Sequence, residues 1–306
     1  MELQSNICVV YRLNSNLVKQ YGYSNIRVEF TIFGETKVVT EYTEYVDKNT
    51  GDILYEYRFS DLAPQQMTDE IITVIYAEND GEEYSRVYDN FTIVSYCNSQ
   101  IEKESSTTEY RTFLVDMVNY GTAAQLHSGH NTDKLAVDAL LDEYKIYGST
   151  KNVEAKSVTN TKYEVIDNPT LKYKVAKLEL ADSVTVLIEI ELEGDNKSPE
   201  GVDVEVKAVG YTWNYNLAEL ETYIHKDTGA TRYILKFDGL NPNQMRDEII
   251  FKARRNGEVI SNTLLYSIES YVVSQAPESN TSTLANLLRE MLKYGVAAEN
   301  YVNSSK

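Results

Sequence analysis

The stretch Gly210-Tyr-Thr-Trp-Asn-Tyr-Asn216 holds the chain's single tryptophan, with a tyrosine two residues to either side. In a strand, Tyr211, Trp213 and Tyr215 would point to one face and Thr212, Asn214 and Asn216 to the other. Flat aromatic rows stack on the C–H faces of sugars, and neighbouring amides hydrogen-bond their hydroxyls. Tyr211, Trp213, Tyr215 and Asn214 are therefore the candidate sugar-binding residues. The same alternation describes a half-buried strand whose rings form one wall of a core, and large aromatics are usually mostly buried.

Other groups could hold a metal or do covalent chemistry. Asp47, Asn49 and Asp52 offer oxygens at the short spacing that calcium needs. The chain contains a second copy of this segment, where Asp47 becomes His225 and Asp52 becomes Ala230. A turn that survives without its ligands points to a turn role. Glu78, Asp80, Glu82 and Glu83 face the same test, since the matching loop carries Arg254 and Arg255. Asp195, Asn196, Glu200 and Asp203 read as a solvated loop. His127 and His130 could share a helix face, but no further His or Cys lies near them in sequence. Cys8 and Cys97 occur in the first copy only. Cys97 stands where the second has Val272, which suits a small buried hydrophobe; a disulfide between the first and last strands is the alternative. No nucleophile elbow, phosphate loop or zinc signature appears. Two distant acids can meet in space to cleave a glycoside, but 47 acidic residues single out no pair. The expectation is a chain without catalytic residues, metal or cofactor.

Bulk composition bounds the partners. A formal charge of -18 and a pI near 4.6 repel phosphate backbones and anionic lipid, so nucleic acid is excluded as a partner. No apolar run approaches the roughly 18 residues that a membrane span needs. The start MELQSNICVVYRL lacks the basic and apolar regions of a signal peptide, so any targeting segment is expected outside this sequence. Tyrosine dominates the aromatics, with 25 Tyr against 7 Phe and 1 Trp. Such rings suit strands and contact surfaces.

The elements that must position these residues are written twice. Tyr45-Val-Asp-Lys-Asn-Thr-Gly51 matches Tyr223-Ile-His-Lys-Asp-Thr-Gly229 at an offset of 178 (223 − 45). Leu62-Ala-Pro-Gln-Gln-Met-Thr-Asp-Glu-Ile-Ile72 matches Leu240-Asn-Pro-Asn-Gln-Met-Arg-Asp-Glu-Ile-Ile250 at the same offset (240 − 62). Phe113-Leu-Val-Asp-Met-Val-Asn-Tyr-Gly-Thr-Ala-Ala124 matches Leu287-Leu-Arg-Glu-Met-Leu-Lys-Tyr-Gly-Val-Ala-Ala298 at 174 (294 − 120). One order of motifs repeated over such a period marks duplicated domains.

Each copy reads as strands followed by one helix. Residues 7–13, 26–32, 173–180, 184–192 and 202–208 carry strand patterns. DKNTG and HKDTG are hairpin turns. Ser106 and Glu109 have capping-box spacing. Phe113, Leu114, Met117, Tyr120, Gly121 and Ala124 form a helical apolar stripe, with the small residues expected to bring the helix close to the sheet. Residues 133–144 predict a short helix, and 152–167 an extended segment. The shared Asp69-Glu70 and Asp247-Glu248 pairs suggest hydrogen bonding of a loop.

The helix ending in Tyr-Gly-x-Ala-Ala, the run Asn131-Thr-Asp-Lys-Leu-Ala136 followed by Tyr-Gly-Ser149, and Tyr266-Ser-Ile-Glu-Ser-Tyr271 resemble tandem modules of secreted and cell-surface proteins from gut Firmicutes. That resemblance implies an extracellular, non-catalytic, Ig-like unit, sometimes joined to dockerins or carbohydrate-active domains. The fold expectation is mainly β with α additions: two tandem Ig-like β-sandwich domains, each followed by an amphipathic helix packed on its sandwich. Domain limits are set at 1–132 and 171–306, with a connector at 133–170, and the first copy is expected to miss an equivalent of the opening strand 173–180. The functional expectation is a monomeric surface binding module with polysaccharide as ligand. The alternatives are a spacer that positions a neighbouring domain and, more weakly, a glycan-acting enzyme.

Overall fold

The computed structural model describes residues 7–154, 164–180 and 184–305. The chain divides into two compact units, Met1–Ser149 and Thr150–Lys306. The first contains β1 (Ile7–Asn14), α1 (Ser15–Gln20), β2 (Ser24–Ile32), β3 (Glu35–Val39), β4 (Thr43–Val46), β5 (Ile53–Leu62), β6 (Ile71–Asn79), β7 (Glu82–Phe91), α2 (Ile93–Ile101), α3 (Thr108–Ser128) and α4 (Ala136–Ala139). The second contains β8 (Leu171–Leu180), β9 (Val184–Leu192), β10 (Val202–Ala208), β11 (Tyr211–Asn216), β12 (Glu221–Ile224), β13 (Thr231–Phe237), β14 (Ile249–Arg255), β15 (Glu258–Val259), β16 (Leu264–Tyr266), α5 (Ile268–Gln275) and α6 (Thr283–Ser304).

The protein is mainly β, with four antiparallel sheets and added helices. In the first unit the orders are β1-β5-β4 and β3-β2-β6-β7. In the second they are β8-β9-β13-β12 and β11-β10-β14, with β15 and β16 both on β14. With β1 matched to β9, β2 to β10 and so on, the two units share one strand order; among the described residues β8 has no counterpart in the first unit. The alternation in sequence sets which face is buried. In β10, Val202, Val204, Val206 and Ala208 are buried, while Asp203 and Lys207 point outward. The two inner faces of each unit meet through aromatic rings. Phe30 stacks on Phe59 at 5.1 Å between centroids, and Phe237 meets Phe251 edge-on at 6.5 Å.

In each unit a short helix, α2 or α5, precedes the long helix that is expected alone. The segments 93–101 and 268–275 are helical, although their Ile, Val and Tyr suit strands equally and the expectation is a last strand at Cys97. Their starts are nonetheless capped: the Thr92 hydroxyl accepts from Ser95 N at 3.0 Å, and that of Ser267 from Ser270 N at 3.0 Å. Cys97 accordingly lies on α2, not on a last strand. Cys8 and Cys97 are both buried and are not bonded to each other, so the alternative disulfide is not formed. The cap of α3 is Thr107, which accepts from Tyr110 N at 3.2 Å. Ser106, the expected cap, instead donates to the Gln100 carbonyl at 2.6 Å.

The apolar stripe of α3 is buried throughout, as is its counterpart on α6. Its Gly121 seats the 3-10 turn Pro64–Gln66 and the Met67 that follows. A Cβ on Gly121 would overlap Met67 Sδ and stand 3.0 Å from the Pro64 carbonyl. In the second unit a Cβ on Gly295 would lie 2.7 Å from Met245 Sδ and 3.1 Å from the Pro242 carbonyl. The two recurring motifs are thus the two halves of one contact.

Residues 133–149 return to α3. The helical part of 133–144 is the four-residue α4, and Asp142–Tyr147 forms a 3-10 turn. Gln125, fully buried, donates to the Lys134 carbonyl at 3.0 Å and accepts from Ala136 N at 2.8 Å. Buried Asp116 accepts from both the backbone N and the hydroxyl of Ser149, at 2.7 and 2.6 Å. Residues 155–163, which form most of the expected extended segment, lie outside the described residues.

Candidate functional site

The aromatic row sits on β11, the edge strand of its sheet. Tyr211, Trp213 and Tyr215 oppose Ala208, Val206 and Val204 of β10, all three buried. Opposed residues in an antiparallel pair share a face, so the row is on the core side of the sheet. Trp213 is half-buried and meets Phe237 edge-on at 5.0 Å. Its ring also lies over Gly239, where a Cβ would come within 3.3 Å of the indole. The first copy has Lys37 and Asp61 at these two places. The contact of tryptophan with glycine is thus particular to the second unit. Tyr215 is half-buried, and burial, together with the Asp238 charge, raises its phenol pKa. Tyr211 is 70% exposed and lies 6.0 Å from Trp213, tilted by 53°. Asn214 is exposed on the opposite face, so the amide and the rings do not converge on one ligand position.

A more concave aromatic surface lies in the first unit. Asn14 caps α1, accepting from Asn16 N at 2.9 Å, and the helix closes on a left-handed Gly22 (φ 69°). This places Tyr21 and Tyr23 at the end of the sheets, and Asn79 ties the turn down by donating to the Tyr21 carbonyl at 3.1 Å. Two clefts flank Tyr23. One, of 590 Å³, has Tyr42, Tyr55, Tyr57, Asn25, Arg27 and Glu78 in its walls. The other, of 560 Å³, has Leu17, Tyr21, Ile75, Tyr84 and Tyr88. Tyr42 packs on Tyr55 at 4.2 Å between centroids. Burial, with Tyr42 and Tyr55 close by, pushes the Tyr57 phenol up to about 12. Asn25 donates to Glu78 at 2.6 Å. Arg27 stacks over Tyr76 at 4.0 Å and pairs with Glu29 and Glu83 at 3.1 and 2.5 Å. Tyr21, Tyr23, Tyr42 and Tyr84 keep exposed rings. The matching loop of the second unit, residues 193–201, contains no aromatic residue. These tyrosines come from four separated segments, so no local spacing announced them.

The other candidates have structural partners. The Asp47 carboxylate accepts from Asn49 N at 2.8 Å, and Asp52 accepts from Asn14 at 3.2 Å. The same hairpin persists at His225, whose carbonyl accepts from Gly229 N at 2.8 Å. His130 bonds Asp69 at 2.9 Å, and Asn131 donates to the same carboxylate at 3.2 Å. Asp69 thus hydrogen-bonds the loop that follows α3. Buried Glu56 is held between Arg12, at 2.7 Å, and Arg58. Among the described residues, no group of three or more His, Cys, Asp or Glu could hold a metal ion, and no helix is long and apolar enough to cross a membrane. Compared with known proteins, the chain matches no family model and no curated protein.

Proposed function

We propose that the chain is a non-catalytic binding protein of two tandem Ig-like modules, secreted or displayed at a bacterial surface, with polysaccharide as its ligand. The localisation and the Ig-like assignment rest on the resemblance carried by the Tyr-Gly-x-Ala-Ala helices. The observation that carries binding is the pair of clefts around Tyr23. Exposed tyrosine rings line a concave surface beside Asn25, Arg27 and Glu78, a combination suited to stacking on sugar rings while bonding their hydroxyls. Tyr211 and Trp213 form a second, flatter candidate surface. Affinity electrophoresis on a broad panel of soluble and insoluble glycans tests the reading. Retardation on a glycan is expected, reduced at least tenfold by Tyr23→Ala or Tyr42→Ala. Loss with Trp213→Ala alone would move the site to β11.

A structural spacer is the second reading. It is favoured by one observation: the Gly, Met and Pro residues repeated in both copies are engaged in closing the two units. Absence of retardation on every glycan would support it. Hydrolysis of a glycan, abolished by changing one carboxylate, would instead support an enzyme.

A further inference from the structure

The two clefts around Tyr23 share a wall. Val18, Tyr23 and Ile26 line both of them. Val18 and Ile26 are half-buried while the Tyr23 ring is exposed, so an apolar ridge carrying one exposed ring divides the surface. A further exposed ring stands on each side: Tyr42, packed against Tyr55 of β5, in one cleft and Tyr84 of β7 in the other. At 590 and 560 Å³, each cleft falls in the range of about 300–1,000 Å³ that holds one small ligand, and a single sugar ring fills only part of it. Most charged groups of the walls are already engaged. Arg27 gives its guanidinium to Glu29 and Glu83, Glu78 accepts from Asn25, and Arg86 lies over the Tyr88 ring at 5.1 Å. Lys19, at the end of α1, is the remaining cation of the walls, and Glu29, Glu78 and Glu83 outnumber it and Arg27. Carboxylates and sulfates are recognised by guanidinium forks turned toward them. Here the Arg27 fork is occupied by the protein's own carboxylates.

We infer that the ligand of this surface is an internal run of an uncharged polysaccharide, which crosses Tyr23 and sets sugar rings in both clefts. The inference rests on the glycan reading above and specifies the class of glycan. Tyr42, Tyr23 and Tyr84 offer successive stacking faces along such a chain, while Asn25 and the tyrosine hydroxyls serve its hydroxyl groups. A chain long enough to enter both clefts makes the second engagement intramolecular, which raises its affinity above that of either cleft alone. A disaccharide reaches one cleft only and forgoes that gain.

The test runs the full chain in gels containing neutral polysaccharides (hydroxyethylcellulose, xylan, galactomannan, starch) and anionic ones (carboxymethylcellulose, polygalacturonate, alginate). Oligosaccharides of two to six sugars cut from each retarding polysaccharide then compete for the chain in solution. Retardation is expected on a neutral polysaccharide and is at least fivefold weaker on every anionic one. Hexasaccharides should compete at least tenfold better than disaccharides. Tyr42→Ala and Tyr84→Ala each disable one cleft, so either should remove the advantage of the longer competitor. Tyr84→Phe keeps the ring and should retain it. Equal or stronger retardation on the anionic set overturns this inference and leaves glycan binding standing. So does a disaccharide that competes as well as a hexasaccharide, or a length dependence that Tyr84→Ala leaves unchanged. Retardation in none of the gels overturns the binding reading itself, and this inference with it.

Discussion

Met67 is seated on Gly121, in a contact that leaves no room for a β-carbon, and Met245 repeats the arrangement on Gly295. Around each methionine the same bonds recur. Gln66 accepts from Ala63 N at 2.9 Å, and Gln244 from Asn241 N at 2.8 Å. The Met67 carbonyl accepts from Val94 N at 3.2 Å, and that of Met245 from Glu269 N at 3.0 Å. One turn therefore joins the strand before it, the short helix after it and the long helix beneath it. The repeated residues hold the helices to the sheets.

Trp213 is expected to stabilise the second unit. Its ring covers Phe237 and Gly239 while remaining half-exposed. Trp213→Ala should cost about 2 kcal/mol, below the range for fully buried aromatics. Urea unfolding followed by circular dichroism measures it. A change below about 0.5 kcal/mol, typical of an ordinary surface position, would favour a free-standing platform.

The hairpin between β10 and β11 turns through Val209 and Gly210, at φ 47° and 83°. A β-branched residue is strained there, at a cost of roughly 1–2 kcal/mol, and Asn-Gly is the preferred pair in such a turn. Val209→Asn should raise stability by about 1 kcal/mol, read as a higher urea midpoint at unchanged slope.

The cysteines should be silent in the native state. Burial pushes the Cys97 thiol up to about 12, which suppresses the reactive thiolate. Ellman's reagent should label neither Cys8 nor Cys97 until denaturant is added, and then both. Rapid labelling of the folded chain would contradict their burial.

Stability should fall above pH 10. Burial raises the phenol pKa of Tyr57 to about 12, and it also raises those of Tyr120, Tyr173 and Tyr266. In the unfolded chain these groups ionise near pH 10. Between about pH 10 and 12 the unfolded state therefore binds fewer protons, and stability decreases as pH rises. Absorbance at the tyrosinate band should show a subset of tyrosines titrating only as the protein unfolds.

The sequence disclosed the duplication and the long helices because their signals are local and periodic. It also indicated the DKNTG hairpin, whose glycine at φ 76° needs the freedom it has. The short helices α2 and α5 were hidden by β-branched and aromatic residues that suit strands as well. Their caps end in Ser95 and Ser270 rather than the Glu or Gln that marks a capping box in sequence. The partnership of Gly121 with Met67 joins positions on separate elements, and the tyrosine clefts draw on residues from 21 to 88. Such convergence is fixed by strand order, which no local pattern encodes.

A double-mutant cycle at Met67 and Gly121 tests most directly whether the repeated motifs exist to close each unit. Gly121→Ala should destabilise by about 1–3 kcal/mol through overpacking. Met67→Ala alone should cost about 2–5 kcal/mol through the cavity it opens. The pair should be less costly than the two costs added, with a coupling of at least 1 kcal/mol, because the smaller side chain makes room for the new methyl. Strict additivity, or an alanine at Gly121 that leaves urea unfolding unchanged, would contradict the contact on which the account depends.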